Sequence, residues 1–366
     1  MKLFQKPETS WKKNAKEMLA WAVAWTGIIL LFAFIFLQSA NVSNFSKPVR
    51  DYLNSFYPVL ESVLFGILFG ILFSLINSFT DSPFFKGRSY GRIILVKSAL
   101  YFLAVMISSF LIYFIYAVFD LIPDEFLTTR VFNIFSSWLI LCFTVYIVLF
   151  IFIFNMLIII NKKFGPGILY KLFTGKYYRP KDENRIFLFL DMRNSTVNAE
   201  KMGHKKYSQF LRNCYHDITL PVLKREAEIY QYVGDEIVLT WKLSKGLKNL
   251  NCLRVFFDYH NELQSRAGFY RKHFGVVPEF KAGLDCGIVT VTEIGDIKRD
   301  IAYHGDVLNT ASRIQDLCNQ LGEFLLISEY MNSEFGHTDG FVRISKGEFQ
   351  MKGKKKPVGI YAVNSA

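Results

Sequence analysis

The chain has 366 residues with a formal net charge of +12, and 51% of its residues are hydrophobic and 17% aromatic. So apolar a composition argues against a chain that is soluble throughout and predicts a membrane part, while the length allows two or three domains. The charge comes with no base-stacking motif, so we expect no nucleic-acid partner. The five scattered cysteines indicate neither a disulfide framework nor a zinc site.

Long apolar stretches fill the first half of the chain. Each of them is longer than the roughly 20 residues that cross about 30 Å of hydrocarbon. The four stretches are Met18–Ala40, Tyr57–Phe79, Ile93–Phe119 and Val131–Ile160. They predict an integral membrane domain of four transmembrane helices over residues 1–161.

Basic residues are distributed unevenly between the connecting segments. Fourteen Lys and Arg side chains lie before the first span, between the second and third spans and after the fourth, and three lie in the other two loops. This asymmetry predicts that both termini face the cytoplasm, in a multi-pass protein of the inner (plasma) membrane. Charged residues near the midplane are lacking, which argues against a transporter, and Lys97, near the cytoplasmic end of the third span, can snorkel.

Residues 162–184 form the predicted juxtamembrane linker. Gly165, Pro166 and Gly167 should end the fourth helix. Apolar residues then recur at helical spacing, namely Ile168, Leu169, Leu172 and Phe173. A short helix at the membrane surface and a plain linker both remain open here.

From Arg185 onward, short apolar strands alternate with helical patterns. In chain order we predict a strand "RIFLFLD", a helix Val197–Tyr215, a hairpin of Ile229–Val233 and Ile237–Trp241, a helix Gly246–His273, two strands within "EFKAGLDCGIVTVTEIG", a helix Asp306–Asn319, a strand "EFLLISE" and short strands up to Val363. This order predicts an α/β fold of ferredoxin-like type over residues 185–366, with helices on one face of a largely antiparallel sheet.

Two carboxylates stand at the ends of neighbouring elements of this predicted sheet. Asp191 ends the first strand, and Asp235 lies in the Gly-Asp turn of the hairpin. If the first and third strands are neighbours, the two side chains converge and offer the hard oxygen ligands that Mg²⁺ prefers. We expect both side chains to lie outside the core, so that their replacement leaves folding nearly intact. A plain turn is the alternative for Gly-Asp.

A helix start follows the first carboxylate. Asn194, Ser195 and Thr196 are residue types that begin helices, and backbone N–H groups there can hold phosphate oxygens. A second polar pair, Asn309 and Arg313, shares one face of a predicted helix. Arg can stabilise charge on a phosphoryl group and Asn can orient a sugar. Taken alone, this pair also fits a solvated helix face.

Together these segments resemble the class III nucleotidyl cyclases. The resemblance rests on "FLFLDMRNST", "YQYVGDEIVL", "AYHGDVLNTASR" and "MKGKKKPVGIYAV", which occur in the order of that family over most of residues 185–366. It implies that Asp191 and Asp235 bind two Mg²⁺ (or Mn²⁺) ions and that the backbone carbonyl of Met192 adds a ligand. The four spans lie outside the resemblance.

The resemblance also assigns the remaining catalytic groups and a partner. Asn309 would orient the ribose, Arg313 would face the α-phosphate and Lys352 would bind the terminal phosphates of a nucleoside triphosphate. In this family the metal residues and the Asn/Arg pair come from opposite protomers, so a homodimer with shared active sites is implied. The expected reaction is cyclisation to a 3′,5′-cyclic monophosphate with release of pyrophosphate.

Two positions depart from the family pattern at the base-specifying site. Gln231 stands where adenylyl members carry Lys and guanylyl members Glu, and Ala302 stands where adenylyl members carry Asp or Thr. ATP is the expected substrate, with guanine or pyrimidine nucleotides as alternatives. Two further alternatives are a diguanylate cyclase, whose hairpin "VGDEI" resembles in part, and a receptor domain that binds nucleotide without catalysis.

Overall fold

The computed structural model describes most of the chain. The described residues are 9–40, 54–80, 85, 90–118, 138–165, 171, 173–297, 299–336, 340–354 and 356–366. They form two compact units, Met1–Met156 and Leu157–Ala366. The predicted division into residues 1–161, 162–184 and 185–366 stays a prediction.

The described part of the first unit and the segment that follows it contain four long helices. These are α1 (Thr9–Ala40), α2 (Tyr57–Thr80), α3 (Tyr90–Val118) and α4 (Trp138–Phe164). Each includes a stretch that is long and apolar enough to cross a membrane, as the hydropathy pattern predicts. Residues 131–137, with which the predicted fourth span begins, lie outside the described residues.

Small residues allow α1 and α2 to pack closely. A Cβ atom added at Gly66 or Gly70 would clash with the backbone of Thr26 or Ala22, respectively. Spacing of small residues by four positions is typical of helix contacts in membranes. Polar groups also pair inside the helical unit: Lys97 is buried, and its Nζ donates to Asn77 Oδ1 at 2.8 Å. Lys97 therefore pairs with α2, and its snorkelling stays a prediction.

The second unit alternates strands with helices around one sheet. Its described strands are β1 (Lys181–Met192), β2 (Glu228–Val233), β3 (Glu236–Lys242), β4 (Phe280–Ile294), β5 (Asp300–His304), β6 (Leu325–Ser328), β7 (Phe341–Phe349) and β8 (Val358–Ser365). Its described helices are α5 (Ser195–Met202), α6 (His204–Asp217), α7 (Thr219–Lys224), α8 (Leu243–Leu247), α9 (Asn251–Ser265), α10 (Ala267–Phe274), α11 (Asp306–Leu321) and α12 (Glu329–Glu334). The strand order is β2-β3-β1-β4-β6-β8-β7, and β5 pairs with the far end of β4.

Strand β1 is the centre of the sheet because it pairs with β3 on one side and β4 on the other, both antiparallel. Its side chains alternate between two apolar cores. Leu188 points into the larger core with residues of α6 and α9, such as Phe210, and Phe187 points to the opposite face, where it joins Val307 of α11. The ferredoxin-like architecture is thus as predicted, but helices do not lie on one face only, because α11 covers part of the other.

Three element boundaries differ from the pattern-based predictions. The segment "EFKAGLDCGIVTVTEIG" forms one long strand, since it pairs along its length with β1 and then β5, and the chain turns only after Ile294. The helix predicted over Val197–Tyr215 is interrupted at Gly203, whose φ is +72°. The helical pattern Gly246–His273 is divided among α8, a 3₁₀ turn, α9 and α10.

The residues before β1 are joined to the sheet by an ionic cluster. Arg185 is fully buried and donates from Nε to Glu183 at 2.9 Å and from Nη2 to Glu228 at 3.2 Å. The same carboxylates receive Lys176 and Lys171 at 3.5 and 3.3 Å, respectively. This arrangement compensates the buried guanidinium, which would otherwise be costly. The apolar linker positions that suggested a surface helix lie, apart from Phe173, outside the described residues.

Candidate active site

The register of the sheet brings Asp191 and Asp235 to the same edge. Leu190 of β1 pairs with Ile237 of β3, so Asp191 lies beside the turn that connects β2 and β3. Gly234 begins this turn with a φ of +61°, a conformation that favours glycine. Asp235 is the next residue, and both carboxylates are partly exposed.

The two carboxylates interact electrostatically. Burial, together with the negative charge of Asp235, raises the pKa of Asp191. Burial also raises the pKa of Glu236 to about 7, with contributions from Asp191, Asp316 and Asp235. These side chains therefore concentrate negative charge that a cation would neutralise.

This donor set fits Mg²⁺ or Mn²⁺. Within the described residues no three His, Cys, Asp or Glu side chains lie close enough together to enclose a metal ion. Mg²⁺ is usually held by one or two carboxylates and completes its coordination with water and substrate phosphates. Asp191 and Asp235 supply such a pair. The Met192 side chain is buried, so Met192 could contribute only through its backbone carbonyl.

Asp191 is held by two buried side chains that sequence reasoning missed. Lys281 of β4 pairs with it in register and places Nζ 3.3 Å from Asp191 Oδ2. Gln315 of α11 donates from Nε2 to the same oxygen at 3.1 Å. The side chains of Lys281 and Asp191 are 7% and 24% exposed, so the carboxylate remains accessible on one side.

Helix α11 carries the predicted catalytic pair on its outer surface. Asn309 is exposed and Arg313 is half-buried. A Cβ atom at Gly353 would lie 3.8 Å from Nη1 and Nη2 of Arg313, so the segment before β8 lies against the guanidinium. In the same segment Lys352 is exposed, whereas Lys354 forms an ion pair with Asp306 at the start of α11. The structure thus brings Arg313 next to the Lys352 segment.

Adenylate cyclases match the chain in sequence and in fold. "Adenylate cyclase 2" of Rhizobium meliloti (strain 1021) is 31% identical over 207 residues, which are 56% of this chain and 57% of that protein. "Adenylate cyclase" of Anabaena cylindrica is 26% identical over 187 residues, 49% of this chain and 36% of that protein. The structure of a bacterial light-regulated adenylyl cyclase superposes with a TM-score of 0.51 at 17% identity, over 59% of this chain and 63% of that one. Over about half of its length the chain is therefore similar in sequence to adenylate cyclases, and it shares the fold of an adenylyl cyclase structure.

No family model matches the chain. The chain spans a little over half the length of the Rhizobium protein and about a third of the Anabaena protein. The structural likeness, at its low identity, supports the fold of the second unit alone.

The helix start beside Asp191 and Asp235 has an open approach. Asn194 adopts a left-handed conformation with φ +55°, which Asn tolerates better than most residues, and α5 begins at Ser195. The first intrahelical bond runs from Asn198 N–H to Asn194 O at 2.9 Å. The N–H groups of the preceding helical residues therefore have no acceptor in the helix. Ser195 is partly exposed and Thr196 is exposed, as a phosphate site requires.

Tyrosines of α6 lie against the hairpin of β2 and β3 that carries Asp235. The Tyr215 hydroxyl donates to the Gly234 carbonyl, and its ring lies 4.6 Å from that of Tyr232. Burial, with contributions from Asp235 and Asp191, raises the pKa of Tyr207 to about 12. Helical spacing in the sequence could have indicated this face of α6, but only the fold shows that it meets the turn.

The two base-specifying positions lie beside a pair of contacting rings. Gln231 is exposed on β2, next to a β-bulge, and Ala302 is buried on β5 opposite Thr292. Their chain neighbours Tyr230 and Tyr303 pack with ring centroids 5.0 Å apart. The segments that carry the two positions are therefore close, although no direct contact joins Gln231 with Ala302 among the described interactions.

Proposed function

We propose that this protein is a membrane-bound class III cyclase that converts ATP to 3′,5′-cyclic AMP and pyrophosphate. The observation that carries the proposal is the convergence of Asp191 and Asp235 at one sheet edge. The same domain presents Asn309 and Arg313 on α11. The similarity to two adenylate cyclases supports the choice of reaction.

Each proposed role follows from where the side chain lies. Asp191, Asp235 and the Met192 carbonyl would hold two Mg²⁺ or Mn²⁺ ions, which when bound lower the pKa of the attacking 3′-hydroxyl and neutralise charge on the phosphates. The N–H groups at Asn194–Thr196 are placed to bind phosphate oxygens beside the two carboxylates.

The other side of the substrate would be held by α11 and the segment before β8. Arg313 would donate to the α-phosphate as its charge develops, which is the interaction that most directly lowers the barrier. Asn309 would orient the ribose so that its 3′-oxygen lies in line with the leaving pyrophosphate. Lys352, exposed in the segment that lies against Arg313, would bind the terminal phosphates.

The arrangement of α11 supports a homodimer with shared sites. Gln315 points at Asp191 of its own chain. At about 100° per residue, Arg313 lies about 160° and Asn309 about 120° away from Gln315 around the helix. Neither residue of the pair can then reach the metal carboxylates of its own protomer. A second copy that supplies the pair from its own α11 would complete the site.

Base selection is tested by offering ATP, GTP, CTP and UTP with Mg²⁺ or Mn²⁺ to the purified full chain and identifying products by mass spectrometry. We expect cyclic AMP as the main product and measurable turnover of GTP. The Gln231 amide can donate to adenine N1 or, after rotation, accept from guanine, and Ala302 adds no hydrogen bond that would discriminate. A Gln231→Lys, Ala302→Asp variant should prefer ATP more sharply.

The Gln231→Ala variant serves as the control for base selection. If it kept a strict wild-type preference for one base, other residues would read the base. A dinucleotide product, or no cyclic product from any nucleotide, would contradict the proposed reaction itself.

We further propose that both termini and the cyclase domain are cytoplasmic. Single cysteines introduced by Asn44→Cys or Thr128→Cys should react with a membrane-impermeant maleimide on intact cells, because both lie in the loops poor in Lys and Arg. Ser82→Cys, in a basic loop, is the matched control and should react only after lysis. The opposite pattern would reverse the orientation.

A further inference from the structure

Gln315 is a buried amide inside a domain core. It is 3% exposed, and its Nε2 donates to Asp191 Oδ2 at 3.1 Å. Burying such a group is costly unless its hydrogen bonds are made. An apolar side chain would fill this position of α11 more simply, so the contact with Asp191 calls for a functional account.

Close packing of the helix on the sheet makes the contact feasible. Gly283 lies on β4 between Lys281 and the middle of the strand, and a Cβ atom there would clash with Ala311 O and Gln315 N. The lack of a side chain at Gly283 therefore lets the backbone of α11 approach the sheet directly. This approach brings the Gln315 amide over the end of β1.

The contact gives the two oxygens of the Asp191 carboxylate different roles. Oδ2 receives both the Gln315 amide and the Lys281 ammonium, at 3.1 and 3.3 Å. Two donors on one oxygen fix the rotation of the carboxylate and leave the lone pairs of Oδ1 for a cation. Groups that orient a metal ligand in this way typically change metal affinity about 10- to 100-fold when removed.

Gln315 contacts Asp191 of one active site and lies on the helix that carries Asn309 and Arg313, which would act in the other active site of a dimer. Its own face of α11 is turned to Asp191, whereas the opposite surface carries Asn309 and Arg313. We propose that Gln315 is a positioning residue that orients Asp191 for cation binding and makes α11 the mechanical link between the two active sites of a dimer. This inference rests on the proposed shared-site cyclase. Through Gln315, Asp191 of one site would then hold the helix that offers Arg313 to the other.

The orienting role is tested by titrating the full chain with Mn²⁺. An ATP analogue with a methylene group between the α- and β-phosphates is present, and free Mn²⁺ is followed by electron paramagnetic resonance. We expect Gln315→Leu to weaken Mn²⁺ binding about 10- to 100-fold. Gln315→Glu keeps the size but replaces the donor by a carboxylate, and we expect it to alter Mn²⁺ affinity as well. Exposed Gln320 on the same helix provides the matched control, Gln320→Leu, which should bind as wild type does.

Unchanged Mn²⁺ affinity in both Gln315 variants would overturn the orienting role. The melting temperature of each variant shows whether it is folded, and the Glu variant keeps the test valid if the Leu variant is not. If the wild-type chain neither bound Mn²⁺ through Asp191 nor cyclised ATP, the proposed function would fail instead. The two failures are therefore distinguishable.

The link is tested in heterodimers that retain one intact site, with Asp235→Ala on one chain and Arg313→Ala on the other. The Arg313→Ala chain then supplies the metal carboxylates and the Asp235→Ala chain supplies Arg313. Gln315→Leu on the chain with intact carboxylates should raise the Mn²⁺ concentration needed for half-maximal rate. The same change on the chain that supplies Arg313 should lower kcat. An identical effect from both placements would overturn the link.

Discussion

An Asp235→Asn chain should lose at least about 10²–10³ of its cyclisation rate, a loss comparable to that of a single preorganised electrostatic group in other enzymes. The substitution keeps the size of the side chain and removes the charge that a divalent cation needs. Asp235 lies on an exposed turn and makes no described hydrogen bond, so the fold should be unaffected. The measurement is cyclic AMP formation by the purified chain, with the melting temperature recorded in parallel.

Asp296→Asn is the matched control, because Asp296 is an exposed carboxylate in the loop after β4. It should cyclise at the wild-type rate. Wild-type turnover in the Asp235→Asn chain would remove Asp235 from the metal site.

The structure predicts a larger effect on stability for the replacement of Asp191 than the sequence does. By sequence alone, replacing Asp191 should leave folding nearly intact. Lys281 is nearly buried against it, however, and Gln315 loses its acceptor as well. Removing one partner of a buried ion pair leaves an uncompensated charge, a cost of up to about 3 kcal/mol. Asp191→Ala should therefore lose both activity and stability, whereas Asp235→Asn loses activity alone.

Local sequence patterns predict much of this fold, because the helices and turns concerned depend on residues that are close together in the chain. Uninterrupted apolar stretches indicate α1 to α4, since any spanning segment must satisfy its own backbone hydrogen bonds. The Gly234-Asp235 turn between two apolar runs predicts the β2–β3 hairpin. The order of the cyclase motifs then predicts which side chains belong to one site.

The remaining features depend on distant parts of the chain meeting. Nothing near Lys281 or Gln315 in the sequence indicates that both touch Asp191, which is 90 and 124 positions away respectively. The sequence pattern predicts two strands where the structure has the single strand β4, whose pairing with β1 continues past Gly287, opposite Arg185. Tertiary pairing overrides the local signal at such positions.

Two inactive chains should restore activity to each other. An Asp235→Ala chain lacks the metal carboxylate, and an Arg313→Ala chain lacks the group that stabilises the transition state, so each should be inactive alone. If each site takes its carboxylates from one protomer and its Asn/Arg pair from the other, a heterodimer of the two contains one intact site. Heterodimers purified through two different tags should then show about half the wild-type rate per dimer, because one of two symmetric sites works.

The control for this experiment combines two chains that both lack the Asp235 carboxylate. Heterodimers of Asp235→Ala with Asp235→Asn lack a carboxylate in both sites and should stay inactive, which separates shared sites from any general benefit of co-expression. If purified heterodimers of Asp235→Ala with Arg313→Ala were equally inactive, Asn309 and Arg313 would have to serve their own protomer. That result would require α11 to turn its outer surface by more than 90° toward Asp191, against the buried contact of Gln315 that holds it.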